Sequence, residues 1–460
     1  MEETTLIKGG IVVDVQDVSQ KDILIRGDRI AEIGEVSLSR ADFILNVEGC
    51  LIFPGAIDTH VHFNDSFMNT ISVHDFYSGT RAAAFGGVTS IIDFANQASD
   101  GSLHEAVESK KREAEGNALV DWGIHPVITR PDPPTIAEIP SMIQTGVPTI
   151  KCYMTYREEG LMVDDFGLRE ILISLKRAGG MLLVHAEDND LIERNIRRMI
   201  EKGFLSPIYH ARSRPPETER LAIARCINLA QETGGRLFIV HMASDRGVEE
   251  VGRARSQGVD IFAETCTHYL VLTDEVLERS DGIKWICSPP LRNGIVQHRL
   301  WEGISDGRIS MVTSDDAAFS WESKKIGADR FDRCPNGIPG VETRLPLLYS
   351  EGVGKGRITL GQLVDLIAAT PAKLFGLSPR KGRIQSGADA DLVVFDPEES
   401  WIMGQKTSHM AADWSAYEGF EVTGRVKKVI SRGELIIDGE SCLAHKGRGK
   451  FLHRTLEMEG

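Results

Sequence analysis

The sequence predicts an α/β protein, a (β/α)8 TIM-type barrel carrying a small β-sandwich formed by both chain ends. Three observations predict it. Between residues 51 and 386, eight short apolar runs alternate with helical stretches, the pattern of a parallel barrel. Residues able to bind metal stand at the ends of several of these runs, where such barrels place their sites. Before residue 53 and after residue 386 the chain reads as strands and turns, and neither end is large enough to bury a core alone.

Taken in order, residues 1–53 form the first part of the sandwich. Apolar stretches at 6–13 and 22–26 read as strands, and Gly27-Asp28 marks a tight hairpin into 29–33. The barrel spans 54–386, its first strand being read as the run 51–60. The others are expected at 88–94, 120–128, 147–154, 181–185, 237–241, 259–263 and 309–313, with helices such as 102–115, 168–178, 218–232 and 248–257 between them. Residues 387–460 supply the rest of the sandwich and a tail. The basic cluster Lys446 to Lys450 reads as solvated.

The chain has 460 residues, room for a large domain plus a smaller one. Its formal net charge of -15, with no compensating basic block, argues against nucleic-acid binding. Seven cysteines without a C-x-x-C pair suggest reduced thiols. The start, Met1-Glu2-Glu3-Thr4-Thr5, is polar and acidic, unlike a secretory signal. No apolar segment is long enough to span a bilayer. The expectation is a cytoplasmic protein with no membrane partner.

His60 and His62 share one face at the end of the first strand, because side chains alternate with period two. Strand 4 carries Lys151 in an apolar setting. Strand 5 ends in His185, strand 6 in His241 and strand 8 in Asp315. Singly, each has an ordinary structural explanation: a core histidine, a helix cap, a snorkelling lysine. Their joint arrival at one rim points to a metal centre. Four imidazoles and a carboxylate suit zinc-like divalent ions. Six ligands are too many for one tetrahedral ion with an open position, so two ions fit better. Lysine cannot bridge them as an ammonium, but a neutral amine can add carbon dioxide to give a carbamate with two oxygens.

Five further stretches carry a resemblance. They are Gly-Thr-Arg-Ala-Ala-Ala-Phe-Gly-Gly-Val-Thr-Ser at 79–90, Tyr-His-Ala-Arg-Ser-Arg-Pro-Pro-Glu at 209–217 and Cys-Ser-Pro-Pro-Leu-Arg at 287–292. Pro-Asn-Gly-Ile-Pro-Gly-Val-Glu at 335–342 and Pro-Ala-Lys-Leu-Phe-Gly-Leu at 371–377 complete them. With the ligand set, the chain resembles the cyclic amidohydrolases, and most closely the dihydropyrimidinase and hydantoinase branch, over nearly its whole length.

The resemblance implies a fold, a chemistry and roles. His60, His62 and Asp315 would hold one ion and His185 and His241 the other, with Lys151 as the carbamylated (N6-carboxylysine) bridge. A hydroxide bridging the two ions, taken as zinc, would attack a ring carbonyl. Asp315 would take its proton and return one to the leaving nitrogen. Tyr156 would steady the developing oxyanion, and the main-chain groups of Ser288 and Asn336 would hold the substrate's amide edge. Without the resemblance, Tyr156 is a loop aromatic, and Ser-Pro and Asn-Gly are ordinary turn pairs. The substrate would be a cyclic ureide, a dihydropyrimidine or 5-substituted hydantoin opened to an N-carbamoyl amino acid. Relatives are usually homotetramers.

Two departures stand out. The family usually has histidine where this chain has Asp316, which could raise the pKa of Asp315 or point away into solvent. Residues 63–75 match no single specificity class. Asn64 stands where dihydroorotases carry a carboxylate-gripping arginine, and Asp65-Ser66-Phe67-Met68 where allantoinases often carry Pro-Gly-Arg. Phe63, Phe67 and Met68 suit an apolar ring substituent. The alternatives are an allantoinase, a cyclic imide hydrolase, or a non-enzymatic assembly protein of the same fold. The intact ligand set disfavours the last.

Overall fold

The computed structural model describes residues 3–457; Met1 and Glu2, which open the polar N-terminal stretch, lie outside them. Eight parallel strands form the barrel: β1 (Ala56–Val61), β2 (Val88–Asn96), β3 (Asp121–Val127), β4 (Thr149–Tyr153), β5 (Met181–His185), β6 (Arg236–Ile239), β7 (Ile261–Cys266) and β8 (Met311–Thr313). They neighbour one another in sequence order. Val61 bridges Asp316 in parallel, and the His62 amide donates to the Asp316 carbonyl at 2.8 Å, drawing β8 back to β1. Helices cover the outside, so the strands are buried on both faces and read as continuous apolar runs. The eight expected runs are the eight observed strands.

The first run needs a correction. It is two strands in two sheets. Leu51–Pro54 pairs with Leu392–Ile402 and Ile11–Val13 in the sandwich, and only after Gly55 does β1 begin. Gly55 is required there. A Cβ would fall 2.1 Å from Thr89 Oγ1, and the Gly55 amide donates to the Asp391 carbonyl.

The sandwich joins both ends of the chain. One sheet holds Thr4–Lys8, Asp22–Arg26, Arg29–Gly34 and Phe43–Asn46; in the other a block of N-terminal strands joins, at Leu51–Pro54, a block formed by Leu392–Ile402, Glu421–Ser431 and Glu434–Asp438. Ile7, Ile23, Ile25, Ile52, Leu392 and Val394 fill the space between. Arg26 faces Arg29 across the Gly27-Asp28 turn. Sandwich and barrel are tied by buried Lys381, whose Nζ lies 2.6 Å from Asp391, 2.9 Å from Asp121 and 3.0 Å from Asp389.

The reading of the basic cluster at 446–450 as solvated is overturned. Lys446 and Lys450 expose their side chains, but Arg448 is buried and donates to the Ser431 carbonyl at 2.7 Å. The backbone then docks on β3: the Trp122 amide donates to the Lys450 carbonyl and the Leu452 amide to the Trp122 carbonyl. Phe375 and Leu456 pack with Phe238 in the apolar cluster inside the barrel. Tail carbonyls and amides find partners here that solvent would otherwise supply. All seven cysteines are unpaired. Among the described residues no helix is long and apolar enough to cross a membrane.

Candidate metal centre

His60 and His62 do share a face at the end of β1. Their ring centroids are 5.3 Å apart, and both rings lie 4.7 Å from Phe94. Each is aimed by a carboxylate on Nδ1: Glu264 Oε1 at 2.5 Å from His60, and Asp65 Oδ2 at 2.9 Å from His62. Asn96 holds Asp65 in turn at 2.7 Å. Carboxylates on Nδ1 leave the two Nε2 atoms as electron-pair donors, the usual arrangement behind metal-binding histidines. His60 Nε2 is buried and faces Asp315 Oδ1 at 3.1 Å.

His185 closes β5, and its Nε2 lies 2.8 Å from Glu187, which accepts from Arg214 at 2.7 Å. His241 follows β6 in a left-handed backbone conformation, φ +36°, with its amide on Glu264 and its buried Nδ1 unpartnered. The His241 ring lies 4.5 Å from His185 and 5.2 Å from His60. The four imidazoles therefore form one continuous array, His62–His60–His241–His185.

Lys151, from β4, is fully buried beside that array. Its Nζ has no hydrogen-bond partner and lies 4.9 and 5.0 Å from the rings of Phe94 and Tyr153, which also touch the histidines. Burial pushes the amine down to about 8, against the pull of Asp315 and Glu264. A partnerless buried amine demands an explanation. A neutral amine, four imidazoles and a carboxylate make a donor set that fits divalent cations, and His60, His241 and Asp315 alone bring ligand atoms within 4.8 Å of one another. In the metal-free chain burial works against His62 protonation, but hydrogen bonds to Asp315 and Asp65 outweigh it and push its pKa up to about 9. A cation must displace that proton. Loading stripped protein with zinc at pH 8 should therefore release close to one proton from His62, seen with an indicator dye, and affinity should fall as pH drops below about 9. Uptake without proton release would contradict this.

Asp315 follows β8 with φ +47° and reaches back across the array, its Oδ1 3.1 Å from His60 Nε2 and 3.5 Å from His62 Nε2. Burial disfavours its ionisation, but the imidazoles of His60, His62 and His241 hold it well below the usual carboxylate range. A left-handed backbone at a non-glycine residue costs energy and persists where the surroundings fix it. Tyr156, His241 and Asp315 all carry it.

Asp316 requires a correction, because it does not face solvent, and Asp315 is held below the usual carboxylate range, not above it. It is fully buried and points to His74, whose Nδ1 lies 2.9 Å from Oδ1, while Oδ2 accepts the Gly340 and Val341 amides at 2.9 Å. His74 Nε2 accepts the Ala411 amide, so its proton sits on Nδ1. Asp316→Asn cannot serve all three donors. Its amide would face the His74 N–H, and a change of tautomer would forfeit the Ala411 bond. The variant should lose about 1–3 kcal/mol of stability in chemical denaturation. It should keep its metals, turnover within about tenfold, and an unmoved acid limb of the pH–rate profile. Loss of turnover at intact stability and metal content would refute this assignment.

Tyr156, Ser288 and Asn336 converge on one cleft with His62, Tyr153, His185, His241 and Asp315. Asn336 Nδ2 donates to Tyr156 Oη at 3.2 Å, and Ser288 Oγ lies 3.3 Å from His210 Nε2. Burial pushes the Tyr156 phenol up to about 12, with the Arg214 guanidinium, 5.5 Å from its ring, opposing. The phenol therefore stays protonated and able to donate. Phe67 and Phe319 line the cleft, while Met68 lines the wider vestibule outside it. Phe63 does not belong with them. It is fully buried against Phe76, His74 and Gly79, where a Cβ would meet its ring at 2.6 Å.

Sequence reading missed the supporting carboxylates Glu264, Asp65 and Glu187, together with Arg214. Signals existed for two of them. Asp65 follows His62 by three residues and Glu187 follows His185 by two. Glu264 lay one residue past the expected end of strand 7.

The chain is similar to known proteins over nearly its whole length. The sequence profile described as Amidohydrolase family matches residues 51–436. The D-hydantoinase of Geobacillus stearothermophilus is 39% identical over 456 residues, covering 98% of this chain and 97% of that protein. The D-phenylhydantoinase of Escherichia coli O1:K1 / APEC is 40% identical over 453 residues, 98% of each chain. The crystal structure of dihydropyrimidinase from Brevibacillus agri NCHU1002 superposes with a TM-score of 0.97 at 36% identity, covering 99% of this chain and 100% of that one.

Proposed function

The chain belongs to the amidohydrolase family and is a cyclic amidohydrolase, and from that premise we propose that it opens the ring amide of cyclic ureides. The substrates are 5-substituted hydantoins or dihydropyrimidines, and the products N-carbamoyl amino acids. One observation carries the reading: four histidines, Asp315 and a partnerless buried Lys151 meet at the C-terminal ends of the strands, beside a cleft edged by Tyr156, Ser288 and Asn336.

Two divalent ions, zinc by donor type, would be held by His60, His62 and Asp315 on one side and by His185 and His241 on the other. Lys151 would serve both as an N6-carboxylysine. Such ions lower the pKa of water and polarise a carbonyl. The protein's own groups do the rest. Asp315 accepts the proton of the attacking water and delivers one to the departing ring nitrogen. The Tyr156 hydroxyl donates to the oxygen on which charge develops. Main-chain groups of Ser288 and Asn336 hold the amide edge, and Phe67 and Phe319 offer an apolar wall to the ring substituent. The family resemblance also supports a homotetramer.

Purified protein assayed against dihydrouracil, 5-phenylhydantoin, allantoin and simple imides tests the reading, with elemental analysis alongside. We expect the substituted hydantoin to be opened fastest, and two ions per chain in the active preparation. Preference for allantoin or an imide would replace the substrate assignment, and one ion per chain would end the binuclear reading.

A further inference from the structure

The end of β7 carries a second group of metal donors that the proposed reaction does not use. Cys266 is the last residue of β7, and His268 lies in the short helix Thr267–Val271 that follows. With Asp315 they form a trio whose ligand atoms all lie within 4.8 Å of one another. Cys266 is fully buried, its Sγ 3.6 Å from Thr313 Oγ1. His268 is almost fully buried, and its Nε2 has no hydrogen-bond partner. The neighbouring Tyr269 does not supply one, because its hydroxyl donates to the Pro289 carbonyl. A buried imidazole with an unpaired nitrogen, one of whose ring nitrogens stands within 4.8 Å of a thiol and a carboxylate, calls for a ligand.

Thiolate, imidazole and carboxylate together favour zinc or cadmium over magnesium or calcium. Their two negative charges balance a divalent cation. Zinc bond lengths of about 2.0–2.3 Å put donors roughly 3.5 Å apart, a separation the trio reaches with at most a modest contraction. Asp315 lines the cleft, whereas Cys266 and His268 do not. An ion arriving through the cleft meets Asp315 first.

We propose that Cys266, His268 and Asp315 bind a third, inhibitory ion of the zinc–cadmium type. The ion takes the carboxylate on which proton transfer depends. On binding, the Cys266 thiol gives its proton to solvent as the sulfur–metal bond forms, with no redox change. The inhibitory effect rests on the role given to Asp315 above; the binding does not.

The test uses fully metal-loaded enzyme in a Cys50→Ser, Cys442→Ser background, which removes the two half-buried thiols. It is freed of excess metal and titrated with cadmium chloride or magnesium chloride. We expect one further cadmium per chain, an ultraviolet thiolate-to-cadmium absorption band, and turnover reduced at least about tenfold at saturation. Magnesium should do neither. Adding Cys266→Ser should abolish the band. Cys266→Ser and His268→Gln should each raise the inhibiting concentration by at least about tenfold, with uninhibited turnover unchanged. Absence of the band in the background protein, or a band and inhibition unaltered by both substitutions, would overturn the site. The band is read without substrate. A band in a protein that opens no cyclic ureide would therefore count against the hydrolase reading alone.

Discussion

Lys151→Ala should lose both bound ions and, with them, turnover by on the order of 10⁴-fold or more, because water's pKa is no longer brought from about 15.7 to about 7. Lys151, like the His241 ring, has no supporting side chain behind it. His60, His62 and His185 are each aimed by a carboxylate, so the histidine sites persist in outline when the lysine is cut back. What disappears is the group proposed to serve both ions at once. The loss should therefore be cooperative, with elemental analysis giving well under two ions per chain while circular dichroism shows a folded barrel whose denaturation midpoint falls with the lost ions and the emptied space. The space left between Phe94 and Tyr153 should admit a small carboxylic acid. Acetate or propionate at millimolar concentration should restore part of both metal binding and turnover by supplying two carboxylate oxygens. A Lys151→Ala protein that keeps two ions and normal turnover would show that the lysine bridges nothing.

The barrel was legible because parallel strands buried on both faces leave long apolar runs, and five of the six proposed ligands because they stand at or just past the ends of those runs; Lys151, in mid-strand, showed only as a lysine in an apolar setting. The sandwich was legible only as two incomplete ends. What stayed hidden has physical causes. The split at Gly55 depends on the close approach of Thr89, a contact 34 positions away in sequence. The docking of 448–456 depends on carbonyls and amides of β3 that no side-chain pattern announces. Phe63 and Phe67 look alike in sequence, yet β1 directs one into the core and the following loop turns the other into the cleft. Glu264 orients His60 and receives the His241 amide. A carboxylate's service to two histidines from other strands cannot be read from spacing. Asp316 finds His74 and the Gly340 and Val341 amides, partners 242, 24 and 25 residues away.

Asp315→Asn should abolish measurable turnover, and the way it fails distinguishes the two duties proposed for the carboxylate. As a proton carrier, Asp315 must be ionised to accept and then protonated to donate. An amide does neither, which alone costs about 10²–10⁴-fold in rate. As a proposed ligand, it would contribute one of the three donors that lie within 4.8 Å in the His60, His241 and Asp315 group. Asparagine keeps a carbonyl oxygen at nearly the same place, so an ion can remain while proton transfer stops. We therefore expect Asp315→Asn to retain most of its metal and to bind substrate near the wild-type KM while kcat collapses. Asp315→Ala should lose metal as well. The backbone supports the comparison, since φ +47° at this position is a conformation that asparagine tolerates better than most residues, so Asp315→Asn should fold as the parent does. The paired measurement with Asp316→Asn settles which aspartate acts. Asp316 is committed to His74 and two amides, and its loss should show in stability and not in proton transfer. A dead Asp316→Asn beside a working Asp315→Asn, each folded and metal-loaded, would reverse the assignment.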